Sequence, residues 1–341
     1  MKVDQFPDRI IKINNEDFLY FGGTAYLGLP TNIEFQNILI ENIKKWGTAY
    51  GSSRNANLKL SIYEDCENYL ANFINSEASV TISSGMLAGK LVIEKLELEN
   101  NCFFHYPNIH NAIFSKNSMP FFIDNQINPK LLDSKKEKIV ILSDGIPSFS
   151  VIPIDLSDLE KISNSKEITL VVDESHSFGI YGKEGSGIFS SLHFPNIKRK
   201  IMVSSLGKAF GLTGGIIASD YEFINEIKNQ NSFFSGAGMN AAFVQTIFDS
   251  KLIIQKQILK LRKNLKFLDL NLNKKENFIF NEFYPLIYPK IENINNILED
   301  EKIIITSFKY SKQTPDLNRI VVTANHTNED LEKIVRVLNK L

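Results

Sequence analysis

The chain has 341 residues, 43% hydrophobic and 23% charged, ordinary for a globular protein and long enough for about two domains. A net charge of −1 leaves no broad basic field for nucleic acid and no polybasic handle for a membrane. No apolar run nears the ~20 residues of a spanning helix, the first residues lack a signal peptide's apolar core, and Cys66 and Cys102 form neither a disulfide framework nor a CxxC pair, so the cytoplasm is the expected compartment.

In chain order, residues 1–42 hold a short apolar run, Phe18–Phe21, and the loop Gly22–Pro30. They are too few for a domain and should pack on the rest. Residues 43–235 alternate strands and helices. The pattern predicts helices over Ser61–Ile74, Ser84–Leu98 and Leu156–Ile162. It predicts strands over Ala78–Ser83, Cys102–His105, Phe121–Asp124, Ile139–Ser143, Ile168–Asp173, Ile201–Ser205 and Gly215–Ser219. Several strands are almost continuously apolar, as strands covered on both faces are. That argues for a doubly wound α/β domain with a mostly parallel sheet. Residues 236–341 read as a smaller α+β domain. It has a long helical region over Asn240–Leu270, apolar runs at Lys302–Tyr310 and Ile320–Ala324, and a last helix capped by Thr327 with Asp330 three residues on.

Four constellations carry chemistry. In Val171-Val-Asp173-Glu-Ser-His176, an apolar strand ends in an acid with a histidine after it; in open α/β sheets ligands sit beyond such strand ends. The same residues also suit a capped turn and a surface histidine. In Ser204-Ser205-Leu-Gly207-Lys208-Ala-Phe-Gly211 a lysine stands among glycines, which gives a Schiff-base amine and close approach of a planar ligand; a solvated loop lysine has the same pattern. Ser83-Ser84-Gly85-Met86 passes from strand to helix, where free N–H groups can hold a phosphate or Ser84 can simply cap the helix. His110 follows a strand, placed to stack on an aromatic ring or to lie on the surface. No metal-ligand spacing is present. Phosphate cradle, stacking histidine, strand-end acid and glycine-flanked lysine in this order are the parts that pyridoxal 5′-phosphate (PLP) needs.

From Tyr26-Leu-Gly-Leu29 onward the chain resembles the α-oxoamine synthases, fold-type-I PLP-dependent transferases with a seven-stranded, mostly parallel large domain and a small α+β C-terminal domain. The resemblance is carried by Gly51-Ser-Ser-Arg54, Ser84-Gly85, His110, Ser148, Asp173-Glu-Ser-His176 and Ser205-Leu-Gly-Lys208-Ala-Phe-Gly211. It implies that Lys208 carries the cofactor and acts as the α-proton base, and that Asp173 partners the ring nitrogen. His176 and Ser148 would sit near the ring oxygen and His110 against the ring. Ser84, Gly85, Met86 and Ser205 would hold the phosphate. It also implies a homodimer with shared active sites, and decarboxylative condensation of a small amino acid with an acyl thioester; an aminotransferase or another amino-acid-modifying PLP enzyme is the alternative on the same fold, and a non-catalytic subunit is disfavoured by Lys208 and Asp173. The chain departs from the family pattern at Ala25, Tyr63, Gly89, Gly236 and Lys309. Lys309 stands where a substrate-gripping arginine is expected. Three outcomes are open: Lys309 binds the carboxylate singly, another base such as Arg54 or, last in order, Arg319 replaces it, or the substrate lacks a carboxylate there.

Overall fold

The computed structural model describes residues 1–99, 101–308 and 317–341. Its larger sheet has seven strands, in spatial order Ala78–Ile82, Gly215–Ser219, Ile197–Ser205, Lys166–Asp173, Glu137–Asp144, Cys102–His105 and Met119–Pro120. Gly215–Ser219 runs antiparallel to both neighbours and every other pairing is parallel. Alternation along the central strands sends Val140, Leu142 and Val171 to one face, packed with Leu91, Val92 and Leu96 of the helix Gly85–Leu98. Ile139, Ile141, Leu170 and Val172 go to the other face. Both faces are covered, which is why these strands read as unbroken apolar runs.

Three expected elements differ. Phe121–Asp124 is not one strand: the sheet takes Met119–Pro120, and Phe122–Ile123 folds back on Gln126–Ile127 as a hairpin. Asp124 and Asn125 turn it with φ of 50° and 61°, the mirror-image turn that two-residue hairpins favour. Leu156–Ile162 forms a 3₁₀ turn, Ser157–Lys161. There Leu156, Leu159 and Ile162 lie on one buried side, because residues three apart eclipse in that geometry. Asn240–Leu270 is two helices, Ala241–Asp249 and Lys251–Asn271, meeting at Ser250.

The second sheet has six strands in the order Ile10–Ile13, Glu16–Phe21, Ile303–Phe308, Leu317–Val321, Leu286–Pro289 and Phe278–Phe280. The N-terminal hairpin is therefore part of the sheet built by the C-terminal residues, with Glu16–Phe21 parallel to Ile303–Phe308. Arg9 clamps Asp330 through two bonds of 2.7 and 2.9 Å, and Phe21 stacks on His326 at 4.0 Å. Asp330 also closes the capping box with Thr327 at the head of the helix Asn328–Leu338. Among the described residues no helix is long and apolar enough to cross a membrane.

Candidate active site

Asp144 and Asp173 end adjacent parallel strands directly opposite each other, and Ser205 ends the next strand. All three stand at one edge of the large sheet, the edge where open α/β sheets bind ligands. Asp173 is 6% exposed. Its Oδ1 accepts the Ser175 N–H at 2.8 Å. Its Oδ2 lies 3.8 Å from His110 Nδ1, beyond hydrogen-bond range, and receives no hydrogen bond among the described residues. His110 Nδ1 accepts the Ala112 N–H at 3.2 Å. The His110 N–H donates to Asp144 Oδ1 at 3.0 Å, which ties the His110 loop to the sheet. Burial, with Asp173 adding to it, pushes the Asp144 carboxyl up to about 7.

Lys208 sits on a lobe closed by the bond from Leu206 N–H to the Gly214 carbonyl at 2.9 Å. Gly211 lets the lobe turn: its φ is +67° and a Cβ there would lie 2.8 Å from Pro30. The lysine Nζ is 2.9 Å from His176 Nε2, and His176 Nδ1 is 2.9 Å from the Tyr26 hydroxyl. Burial brings Lys208 down to about 8; Asp173 and Asp144 oppose that fall and Arg319 adds to it. His176 is held well below its ordinary value by burial first, then by Lys208 and Arg319. At neutral pH it is a neutral imidazole beside a lysine that releases its proton more readily than usual.

Ser84 caps the helix Gly85–Leu98, its Oγ accepting the Leu87 N–H at 3.1 Å. The N–H groups of Gly85 and Met86 open that helix and have no acceptor within it. A Cβ on Gly85 would lie 2.7 Å from Ser205 Cβ, and one on Gly215 would lie 2.4 Å from the Ser84 carbonyl oxygen. The helix start, Ser205 and Gly215 thus meet with no room for added side chains. Ser205 N–H donates to Ser175 Oγ at 2.8 Å and its own Oγ accepts from Gly207 at 3.2 Å. Helix N–H groups suit a phosphate, the open Asp173 oxygen suits a protonated ring nitrogen, and the Lys208 amine suits a carbonyl carbon. The donor set fits PLP.

Other expected residues are placed differently. Ser148 lies on the loop four residues past Asp144. Lys309 lies outside the described residues. Arg54 is committed elsewhere: it pairs with buried Glu67 at 2.7 Å, donates to the Thr81 carbonyl at 2.9 Å and covers the Tyr63 ring at 3.9 Å. Both polar contacts run through Nη1 and hold the Arg54 guanidinium against Glu67 and Thr81. Arg319 is instead near enough for its charge to act on Lys208 and His176.

The sequence assigned no role to Tyr26, Asp144 or Glu174. Glu174 is fully buried and accepts the Ser177 hydroxyl and the N–H groups of Ile188 and Phe189, which pins the turn that carries His176. Burial lifts it to about 7 against those donors. The available signal for Asp144 was its place at the end of an apolar run, the same signal that singled out Asp173.

The profile of the aminotransferase class I and II family matches residues 16–338. The chain belongs to this family. It is similar to an 8-amino-7-oxononanoate synthase from Petrotoga mobilis, 26% identical over 97% of this chain and 90% of the relative. It is also similar to a serine palmitoyltransferase from Sphingobacterium spiritivorum, 24% identical over 98% and 90%. Among solved structures it resembles a serine palmitoyltransferase variant from S. paucimobilis with bound PLP–myriocin, with a TM-score of 0.81 at 17% identity, over 99% of this chain and 91% of that one. The fold is that of fold-type-I transferases, and PLP is the cofactor.

Proposed function

We propose that this enzyme is an α-oxoamine synthase, joining a small amino acid to an acyl thioester with release of the thiol and of carbon dioxide. The observation that carries the reading is the half-buried Lys208 amine at the same sheet edge as the Asp173 carboxylate and the helix start at Ser84, Gly85 and Met86. The relatives named 8-amino-7-oxononanoate synthase and serine palmitoyltransferase support this reaction within the family.

When bound, PLP supplies an electron sink for negative charge at the amino acid's α-carbon. Ser84, Gly85, Met86 and Ser205 would hold its phosphate, and His110 would cover its ring. Asp173 would favour a positive charge on a nitrogen set against it, and His176 and Ser148 are the residues that would lie near the ring oxygen. Lys208, brought down to about 8, exists partly as free amine near neutral pH and takes the α-proton. The substrate carboxylate goes to Arg319, whose charge already reaches Lys208 and His176; a planar guanidinium gives two parallel bonds that a lysine cannot. The enzyme is a homodimer. Met86, at the start of the phosphate-holding helix, is 47% exposed and Phe234 is 53% exposed, and a second copy would cover such apolar groups. Cys66 and Cys102 are both free, which suits the cytoplasm.

The test is purification with visible spectroscopy, borohydride fixation and peptide mapping. The cofactor is expected on Lys208, and a colourless protein that takes up no added PLP sinks the proposal. Alanine with pimeloyl thioester and serine with palmitoyl thioester are then assayed for thiol release. Amino-group transfer to a 2-oxo acid without thiol release would instead identify an aminotransferase. Light scattering should give a dimer; a monomer active at working concentration contradicts shared sites.

A further inference from the structure

We infer that Tyr26 is a positioning residue, which through its hydroxyl decides which ring nitrogen of His176 carries the proton and so keeps a lone pair turned towards Lys208. The inference rests on the PLP reading for its consequence in catalysis, but not for its geometry.

Tyr26 is fully buried. Its hydroxyl is 2.9 Å from His176 Nδ1, and the other ring nitrogen is 2.9 Å from Lys208 Nζ. A lysine ammonium has only hydrogens to offer, so Nε2 must accept. The remaining ring proton then sits on Nδ1 and needs a buried acceptor, which the Tyr26 oxygen supplies. The groups that face His176 are Lys208, Arg319 and His110. The two cations among them disfavour imidazolium, so the question is which neutral tautomer is present rather than whether the ring is charged.

The backbone around Tyr26 is built to hold that position. The Tyr26 carbonyl accepts the Ala324 N–H at 2.9 Å, and the Leu27 carbonyl accepts from the Gln257 side chain at 2.7 Å. Gly28 turns the chain at φ +62°, and the Asn325 side chain fills the space where its Cβ would be. Residues from the second sheet's side of the molecule thus clasp the turn that presents the hydroxyl to His176. Replacing Tyr26 by Phe removes the acceptor and leaves the ring volume in place. The Nδ1–H would be stranded, and the other tautomer, with its hydrogen aimed at Lys208, would become competitive.

The experiment uses the full chain, with ¹⁵N-labelled histidine, in the wild type, Tyr26→Phe, His176→Asn and the double variant. The chain has five histidines, and His176→Asn assigns the signal. Wild type is expected to show the Nδ1-protonated tautomer, and Tyr26→Phe the Nε2-protonated form or a mixture. The second measurement is the pH dependence of PLP uptake, which reads the Lys208 amine. An acceptor for the ammonium raises its pKa, so losing that acceptor should lower the midpoint by about half a unit or more. His176→Asn should lower it too, and Tyr26→Phe should add nothing in that background, because it acts through His176. An unchanged tautomer in a folded Tyr26→Phe protein, or additive shifts in the double variant, overturns the inference. If wild type takes up no PLP, the cofactor reading fails while the tautomer measurement still decides the role of Tyr26.

Discussion

Asp144 and Asp173 show how two identical side chains are differentiated by their surroundings. Among the described residues Asp173 Oδ2 accepts no hydrogen bond, whereas Asp144 Oδ1 accepts the His110 N–H and burial, with Asp173 beside it, pushes the Asp144 carboxyl up to about 7. An acid whose folded value lies above its unfolded value, ~3.9, stabilises the fold fully at low pH and loses that contribution as pH rises through about 7. Wild type should therefore melt at lower temperature at pH 8 than at pH 5, and Asp144→Asn should shrink that difference; an undiminished difference would show that Asp144 is not the group responsible. Asp173→Asn should behave otherwise. The neutral amide no longer favours a positive ring nitrogen, so the variant should fold and bind some PLP but lose several powers of ten in turnover, since each ~1.4 kcal/mol of lost transition-state stabilisation is tenfold. Near-wild-type turnover would count against that assignment.

At the scale of elements, two departures from the family pattern, Gly89 and Tyr63, have packing reasons. Gly89 faces the turn after His110 so closely that a Cβ would lie 2.5 Å from the Ala112 carbonyl oxygen, leaving no space for the family's asparagine. Alanine is intrinsically better in a helix by roughly 1 kcal/mol, but backbone contact at that distance opposes it, and overpacking costs ~1–3 kcal/mol. Gly89→Ala should lower the melting temperature and weaken PLP binding by displacing the His110 turn; a stabilised protein with unchanged PLP affinity would refute this. Tyr63, where the family has histidine, donates its hydroxyl to the Met239 carbonyl at 2.6 Å and lies under the Arg54 guanidinium. Cutting Arg54 to alanine would leave buried Glu67 with the Thr81 N–H and hydroxyl and with Lys228 at 3.5 Å, and should lower stability by the loss of one partner of a buried charge.

The molecule as a whole depends on its N-terminal segment more than that segment's length implies. The strands Ile10–Ile13 and Glu16–Phe21 extend the second sheet, and Arg9 holds the last helix through Asp330. Deleting residues 1–14 should lower the melting temperature and open the second sheet to proteolysis. A truncated protein that melts with the wild type would show that the hairpin is dispensable.

What the sequence determined by itself was local. The central strands were legible because burial on both faces demands apolar residues in unbroken runs. Asp173, Ser205 and Lys208 were legible because they follow such runs directly, so chain continuity delivers them to one sheet edge. The break between Phe121 and Asp124 was not visible in hydrophobicity, since a hairpin and a strand use the same residues there. Contacts between distant segments were left to the tertiary structure: Tyr26 meets His176 across 150 residues and Arg9 meets Asp330 across 321. The pairing of Arg54 with Glu67 is another contact between segments, and Asp144 became distinct from other strand-end acids through its register against Asp173. Periodicity records which face of an element is buried, but the partner on that face is chosen by how the sheets and helices come together.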